Sequence, residues 1–240
     1  MSNTDKSVVS KPGTVATRWW WVRHAPVRED GGCIYGQKDL GCDTSDRTVF
    51  EAVGKILPRD AVWIASNLKR THQTADAIWA AGFPKPSKMK QEAALAEQHL
   101  GEWQGLNRAA FFASRPIEVG SYWFAPIDEP APGGESFMNL YNRVRGVIER
   151  VNIEHAGRDV IAVAHGGTIR AAVGLALGHP EKGLAFTIDN CSVTRLDHLA
   201  SAGHGGWRIP MVNQQPWIAG PAHNAMHQPS GPEVTLSKLG

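Results

Sequence analysis

Cysteine is scarce, with three in 240 residues. Cys33, Cys42 and Cys191 are an odd set without CxxC spacing. That excludes a disulfide framework and a thiolate zinc site, and fits free thiols in the reducing cytoplasm. An excess of either charge is also missing, because 25 Lys and Arg stand against 23 Asp and Glu. Nucleic acid and anionic membrane surfaces are therefore not expected partners. No apolar run approaches the length of a membrane span, and Met1-Ser2-Asn3-Thr4-Asp5-Lys6 leads into no apolar signal segment. There are 10 histidines but no HExxH motif. No metal or other cofactor is expected. Internal repeats are absent too.

What is present suits one catalytic domain, since a chain of this length buries one full-sized core. Residues 1–17 are polar, broken by Lys11-Pro12-Gly13, and read as a frayed leader. The domain then runs over residues 18–213, and residues 214–240, rich in Pro, Gly and His, form a tail or a lid. Within the domain Trp19-Trp20-Trp21-Val22, Ala61 to Ala65 and Val160 to Ala164 are short apolar runs typical of buried strands. Asp46 can cap a helix with Val49, Phe50, Val53, Ile56 and Leu57 on one face, ended by Pro58. A second helix buries Leu68, Ala75, Ile78 and Trp79 and stops at Gly82. Residues 83–134 break the alternation with repeated prolines and read as an insertion over the crevice. Ser136 then opens a helix with Phe137, Leu140, Tyr141, Val144, Val147, Ile148 and Val151 on one stripe. A helix from Thr168 to Leu177 and two strands, Cys191 to His198 and Trp207 to Asn213, complete the pattern. Alternating strands and helices predict an α/β three-layer sandwich with a mostly parallel sheet.

The chemistry sits where the apolar runs stop. Arg23-His24 follows the first, Ser66 with Arg70 follows the second, and His165-Gly166-Gly167 follows the third. Carboxyl ends of parallel strands border the ligand crevice, so these side chains point at a substrate. Two arginines and two histidines converging there suit an anionic phosphoryl group. Neutral His24 can attack phosphorus, Arg23 and Arg70 can hold the oxygens, and a protonated His165 would add a further donor. The amides of Gly166 or Gly167, at a helix start, are candidate phosphate contacts.

Four motifs in order resemble the histidine phosphatase superfamily, the phosphoglycerate mutase-like fold, over roughly Trp19 to Asn213. They are Arg23-His24-Ala25, the segment Ser66 to Thr74 with Leu68 and Arg70, Leu95-Ala96-Glu97 before Leu100 to Gly105, and His165-Gly166-Gly167. Gly134-Glu135-Ser136 lies between the last two. The resemblance implies a phosphohistidine on His24 and a proton donor at Glu97, acting on a small phosphate ester without a metal. Ile34 to Leu40 resembles the Tyr-Gly-x-x-Asp segment of the alpha-ribazole phosphatase-like branch. With the short interval from Gly105 to Glu135, that favours a phosphatase over a mutase. Ala25 stands where the family has glycine, which leaves a catalytically impaired phosphate-binding or interaction protein as an alternative beside the mutase. Arg28, Tyr35, Lys38 and Trp103 are candidates for a specificity rim, and a homo-oligomer is possible.

Overall fold

The computed structural model describes residues 15–115, 125–201 and 204–218. Its six strands are β1 (Val15–Arg23), β2 (Ala61–Ala65), β3 (Met89–Gln91), β4 (Asp159–Ala164), β5 (Val193–Ser201) and β6 (His204–Gln214). They form one sheet in the order β3-β2-β4-β1-β5-β6. Neighbours from β3 to β1 run parallel, and β5 and β6 join antiparallel. The observed architecture is the expected α/β sandwich.

Strand side chains alternate between faces, which explains the three adjacent tryptophans. Trp19 and Trp21 enter a core with Leu140 and Val144 of α4 (Phe137–Glu154) and Ile169 and Val173 of α5 (Gly166–Leu177). Trp20 and Val22 enter the opposite core with Phe50 and Val53 of α1 (Arg47–Ile56) and Ala75 and Ile78 of α2 (Lys69–Ala80). Val160 and Ala162 against Ile161 and Val163 of β4 sort the same way. Each of these large side chains contributes about 1.5–3 kcal/mol by leaving water, so the two-sided burial fixes the strand register. The helix boundaries have local causes. The Asp46 side chain accepts the Thr48 N–H, Ser136 and Asn139 form a capping box, and Gly178 ends α5 at φ 71°.

Several boundaries differ from the sequence reading. β1 begins at Val15, so residues 15–17 are strand rather than leader, because pairing of Val15 to Thr17 with β5 is a long-range contact invisible to local pattern. β3 was not expected. It is three residues long, among prolines, and is held by its pairing with β2. The segment 83–134 also contains the short helix α3 (Arg108–Ser114). Gln214 still belongs to β6, and Trp217 packs against the core of α1 and α2. Most of the expected leader and tail, and residues 116–124 of the insertion, lie outside the described residues.

The topology makes the crevice. From β1 the chain passes to α1 on one face, and from the neighbouring β4 it passes to α5 on the other. Chains leaving adjacent strand ends in opposite directions open a cleft between them. Arg23 lies opposite Ala164, and Ala65 opposite Val163. His24, Ser66 and His165, one step beyond these ends, therefore share one edge of the sheet.

Candidate active site

His24 is 1% exposed, and its Nδ1 stands 2.7 Å from the carbonyl oxygen of Ala25. A carbonyl can only accept, so Nδ1 carries the hydrogen and Nε2 keeps its lone pair. The backbone around it is held from both sides. Asn190 Nδ2 donates to the His24 carbonyl at 2.8 Å, and the Ala25 N–H donates to Thr74 Oγ1 at 2.8 Å. Ala25 itself is buried in the core of α1 and α2 and is not among the residues at positive φ. Its methyl imposes no backbone strain.

Arg70 is fully buried in the first turn of α2. Its Nε donates to His165 Nδ1 at 3.2 Å, Nη1 to the Lys38 carbonyl at 2.8 Å and Nη2 to the Gly36 carbonyl at 2.7 Å. One guanidinium thus fixes His165 and the loop that follows β1. Asp39 of that loop accepts the Lys69 N–H at 2.7 Å and caps α2, whose own N-cap residue Leu68 has no side-chain acceptor. Gly36 takes φ 45°, where a Cβ would collide with Gln104 Oε1.

His165 receives Arg70 at Nδ1 and stands 2.7 Å from Ser66 Oγ at Nε2. This is a neutral ring, with Nε2 donating. Complete burial, His24 and the two nearby guanidiniums favour this uncharged form, and the donor role expected of a protonated His165 requires the ring to gain a proton. Arg23 donates from Nη1 to the Ile188 carbonyl at 2.5 Å, while its buried Nε has no partner. The charge of Arg23 acts on both imidazoles, whose ring centroids are 5.1 Å apart.

Glu97 reaches the same place from the insertion. The Gly167 N–H lies 3.1 and 3.2 Å from its two carboxylate oxygens, and the Gln98 N–H donates at 2.9 Å. The amide at the start of α5 therefore holds a side-chain carboxyl group in place. A Cβ on Gly167 would collide with Glu97 Oε1, whereas one on Gly166 would stand 3.6 Å from Arg23 Nε.

The rim candidates separate. Tyr35 lies beneath Arg70, with the guanidinium carbon 5.2 Å from its ring centre, and near Arg108 at 5.9 Å. Lys38 is exposed, and its carbonyl holds Arg70. Arg28 is exposed and pairs with Asp43 at 3.2 Å. Trp103 is corrected: it is 6% exposed in a small core with Ile34, Leu100 and Phe111, so its area serves packing. Sequence reasoning missed Asn190, Arg143 and Arg170. Arg170 donates to the Phe186 carbonyl at 2.9 Å and lies within the electrostatic reach of Glu97 and Arg23. Its place one turn after Gly166 was the available signal. Among the described residues no group of three or more His, Cys, Asp or Glu could hold a metal ion, and no helix is long and apolar enough to cross a membrane.

Burial, followed by the charges of Arg70 and Arg23, holds His24 well below the ordinary histidine value of 6.5. Burial also lowers His165, reinforced by His24 and the same arginines. Both folded-state values are depressed, so both rings bind protons more readily when the chain unfolds. Their contribution to stability is full above 6.5 and is lost as pH falls from there towards the folded-state values. The expected loss is about 1 kcal/mol per pH unit for each ring. Urea unfolding between about pH 7 and about pH 5 measures it. A flat profile would contradict neutral burial of the pair.

A profile of the histidine phosphatase superfamily (branch 1) matches residues 19–215. The chain belongs to this superfamily. A 2,3-bisphosphoglycerate-dependent phosphoglycerate mutase of Gloeobacter violaceus is 34% identical over 69% of this chain and 78% of its own. Phosphoserine phosphatase 1 of Hydrogenobacter thermophilus is 32% identical over 71% of this chain and 82% of its own. A solved mycobacterial glucosyl-3-phosphoglycerate phosphatase in complex with VO3 superposes with a TM-score of 0.68 at 26% identity, covering 82% of this chain and 98% of that one. Superfamily members of both kinds, phosphatase and mutase, are thus similar to this chain.

Proposed function

We propose that this histidine phosphatase superfamily member is a phosphomonoesterase that hydrolyses a small phosphorylated metabolite through a phosphohistidine on His24. The observation that carries the reading is the His24 tautomer: Nδ1 is tied to the Ala25 carbonyl, which leaves Nε2 as the nucleophile within electrostatic reach of Arg70 and Arg23. In the first step Nε2 bonds to phosphorus as the ester P–O bond breaks, and Glu97 protonates the departing oxygen. In the second, water attacks the phosphohistidine, Glu97 takes its proton, and inorganic phosphate leaves. Arg23 and Arg70 stabilise the charge on the equatorial oxygens. The incoming phosphoryl group also gives His165 an anionic neighbour, which favours its protonation as a further donor. The free state of Cys33, Cys42 and Cys191 supports placing the protein in the cytoplasm.

Phosphoryl transfer of the mutase type is the second reading, favoured by the 34% identity to a phosphoglycerate mutase. An impaired binding protein draws no support from Ala25, given its ordinary backbone and buried methyl. A panel of small phosphate esters with phosphate release measured in excess chelator tests the proposal. Chelator-resistant release is expected, with phosphoserine and phosphoglycerates among the first esters to try. Interconversion of 2- and 3-phosphoglycerate exceeding release would establish the mutase reading. Binding of vanadate without turnover of any ester would establish the impaired one.

A further inference from the structure

Arg143 stands midway along α4, on a helix otherwise read by its apolar stripe. All five of its N–H groups have acceptors. Nε donates to Glu135 Oε2 at 3.1 Å, and Nη2 to Glu135 Oε1 at 2.6 Å and to the Glu97 carbonyl at 2.9 Å. Nη1 donates to the carbonyls of Ala94 and Ala96, each at 2.8 Å. The Glu135 carboxylate in turn accepts the His99 N–H at 2.8 Å. Residues 94, 96, 97 and 99 are therefore fixed by a single ion pair, whose side chains are 22% and 18% exposed.

This bracket meets a second one from α5. Thr168 Oγ1 donates to the carbonyls of Leu95 and Ala96 at 3.2 and 3.1 Å, and the Gly167 amide holds the Glu97 carboxylate. Gln37 Nε2 reaches the same Glu97 carbonyl at 2.8 Å from the loop after β1. The segment is a 3-10 turn and loop without sheet pairing of its own, so the direction in which Glu97 leaves the backbone is set by these donors. A proton donor misplaced by about 1 Å loses much of its effect.

Resting on the proposed role of Glu97, we propose that Arg143, locked by Glu135, is the positioning residue for the proton donor. Transfer of the proton to the leaving group thus depends on a guanidinium whose donors all go to protein acceptors. A planar five-donor fork is required. Lysine offers three donors about one point and cannot serve Ala94, Ala96, Glu97 and both Glu135 oxygens together.

The leaving group provides the test. A nitrophenolate departs from phosphorus without needing a proton, whereas an alkoxide such as that of glycerol phosphate needs one to leave. The parent protein is compared with Glu97→Gln, Arg143→Lys and Glu135→Gln on 4-nitrophenyl phosphate and glycerol phosphate. The expected result for Arg143→Lys and Glu135→Gln is a loss in kcat/KM, which reports formation of the phosphohistidine and not its hydrolysis, of about 30-fold on the alkyl ester, against about 3-fold or less on the aryl ester. Equal losses on both esters would make Arg143 a structural residue only and overturn the inference. Should Arg143→Lys fail to fold, Glu135→Gln decides, because it keeps an acceptor for the His99 N–H while weakening the pair. Glu97→Gln separates the two levels: if that variant fails to discriminate between the esters, the proton-donor assignment itself is overturned. If it discriminates and the bracket variants do not, only the present inference falls.

Discussion

Turnover by the His24→Ala protein is expected to fall by roughly 10⁵-fold, with phosphate or vanadate binding kept within about an order of magnitude. The size follows from covalent catalysis: removing the nucleophile removes the reaction path, leaving only what oriented donors can do for direct attack by water. Binding survives because the donors do not depend on the imidazole. Arg70 is anchored on Gly36, Lys38 and His165, and Arg23 on Ile188. The fold survives too, since Asn190 and Thr74 hold the backbone of residues 24 and 25 rather than the ring. Phosphate release and acid-labile incorporation of phosphoryl label into protein are the two measurements. Labelling that persists in His24→Ala would move the nucleophile elsewhere, and release within about tenfold of the parent would end the phosphohistidine reading.

Arg70→Met should damage stability and activity together. The substitution keeps the aliphatic stem but leaves the Gly36 carbonyl and His165 Nδ1 without their donor, while the Lys38 carbonyl keeps the Leu40 N–H. Unsatisfied buried acceptors cost about 1–3 kcal/mol each, and loop relaxation returns part of it, so a net loss of about 3 kcal/mol is expected. Loss of one oxyanion donor lowers kcat by about 10²–10³-fold, and a mobile loop adds to that. Denaturant midpoints and kcat/KM on the same preparation test both. A large kinetic effect at unchanged stability would mean that Arg70 does not secure the loop of residues 35–39.

Much of the fold was legible because burial on both sides of a strand leaves a continuous apolar run, and three such runs end at His24, Ser66 and His165. The caps at Asp46 and Ser136 were equally local. β3 was not legible, since three residues carry no period and their partner is β2. Trp103 misled for a physical reason: an aromatic among glycines suits a ligand platform and a small core alike, and only the positions of Ile34 and Phe111 decide. Arg143 was hidden by distance. Its acceptors at residues 94, 96 and 97 lie 46 to 49 residues earlier in the chain, on a segment without a regular pattern. Local sequence marks a group that does chemistry more readily than one that aims it.

The place of β1 in the sheet also sets a timetable for synthesis. Its partners on both sides, β4 and β5, begin at Asp159 and Val193, so a strand carrying three tryptophans leaves the ribosome with no edge to join. At about 5–20 residues per second the wait is on the order of ten to thirty seconds. For that interval the nascent chain displays indole surface that any holdase chaperone can bind. Slow codons between β1 and β4 would lengthen the exposure, and yield in a heterologous host would then depend on translation speed as well as on the stability of the finished protein.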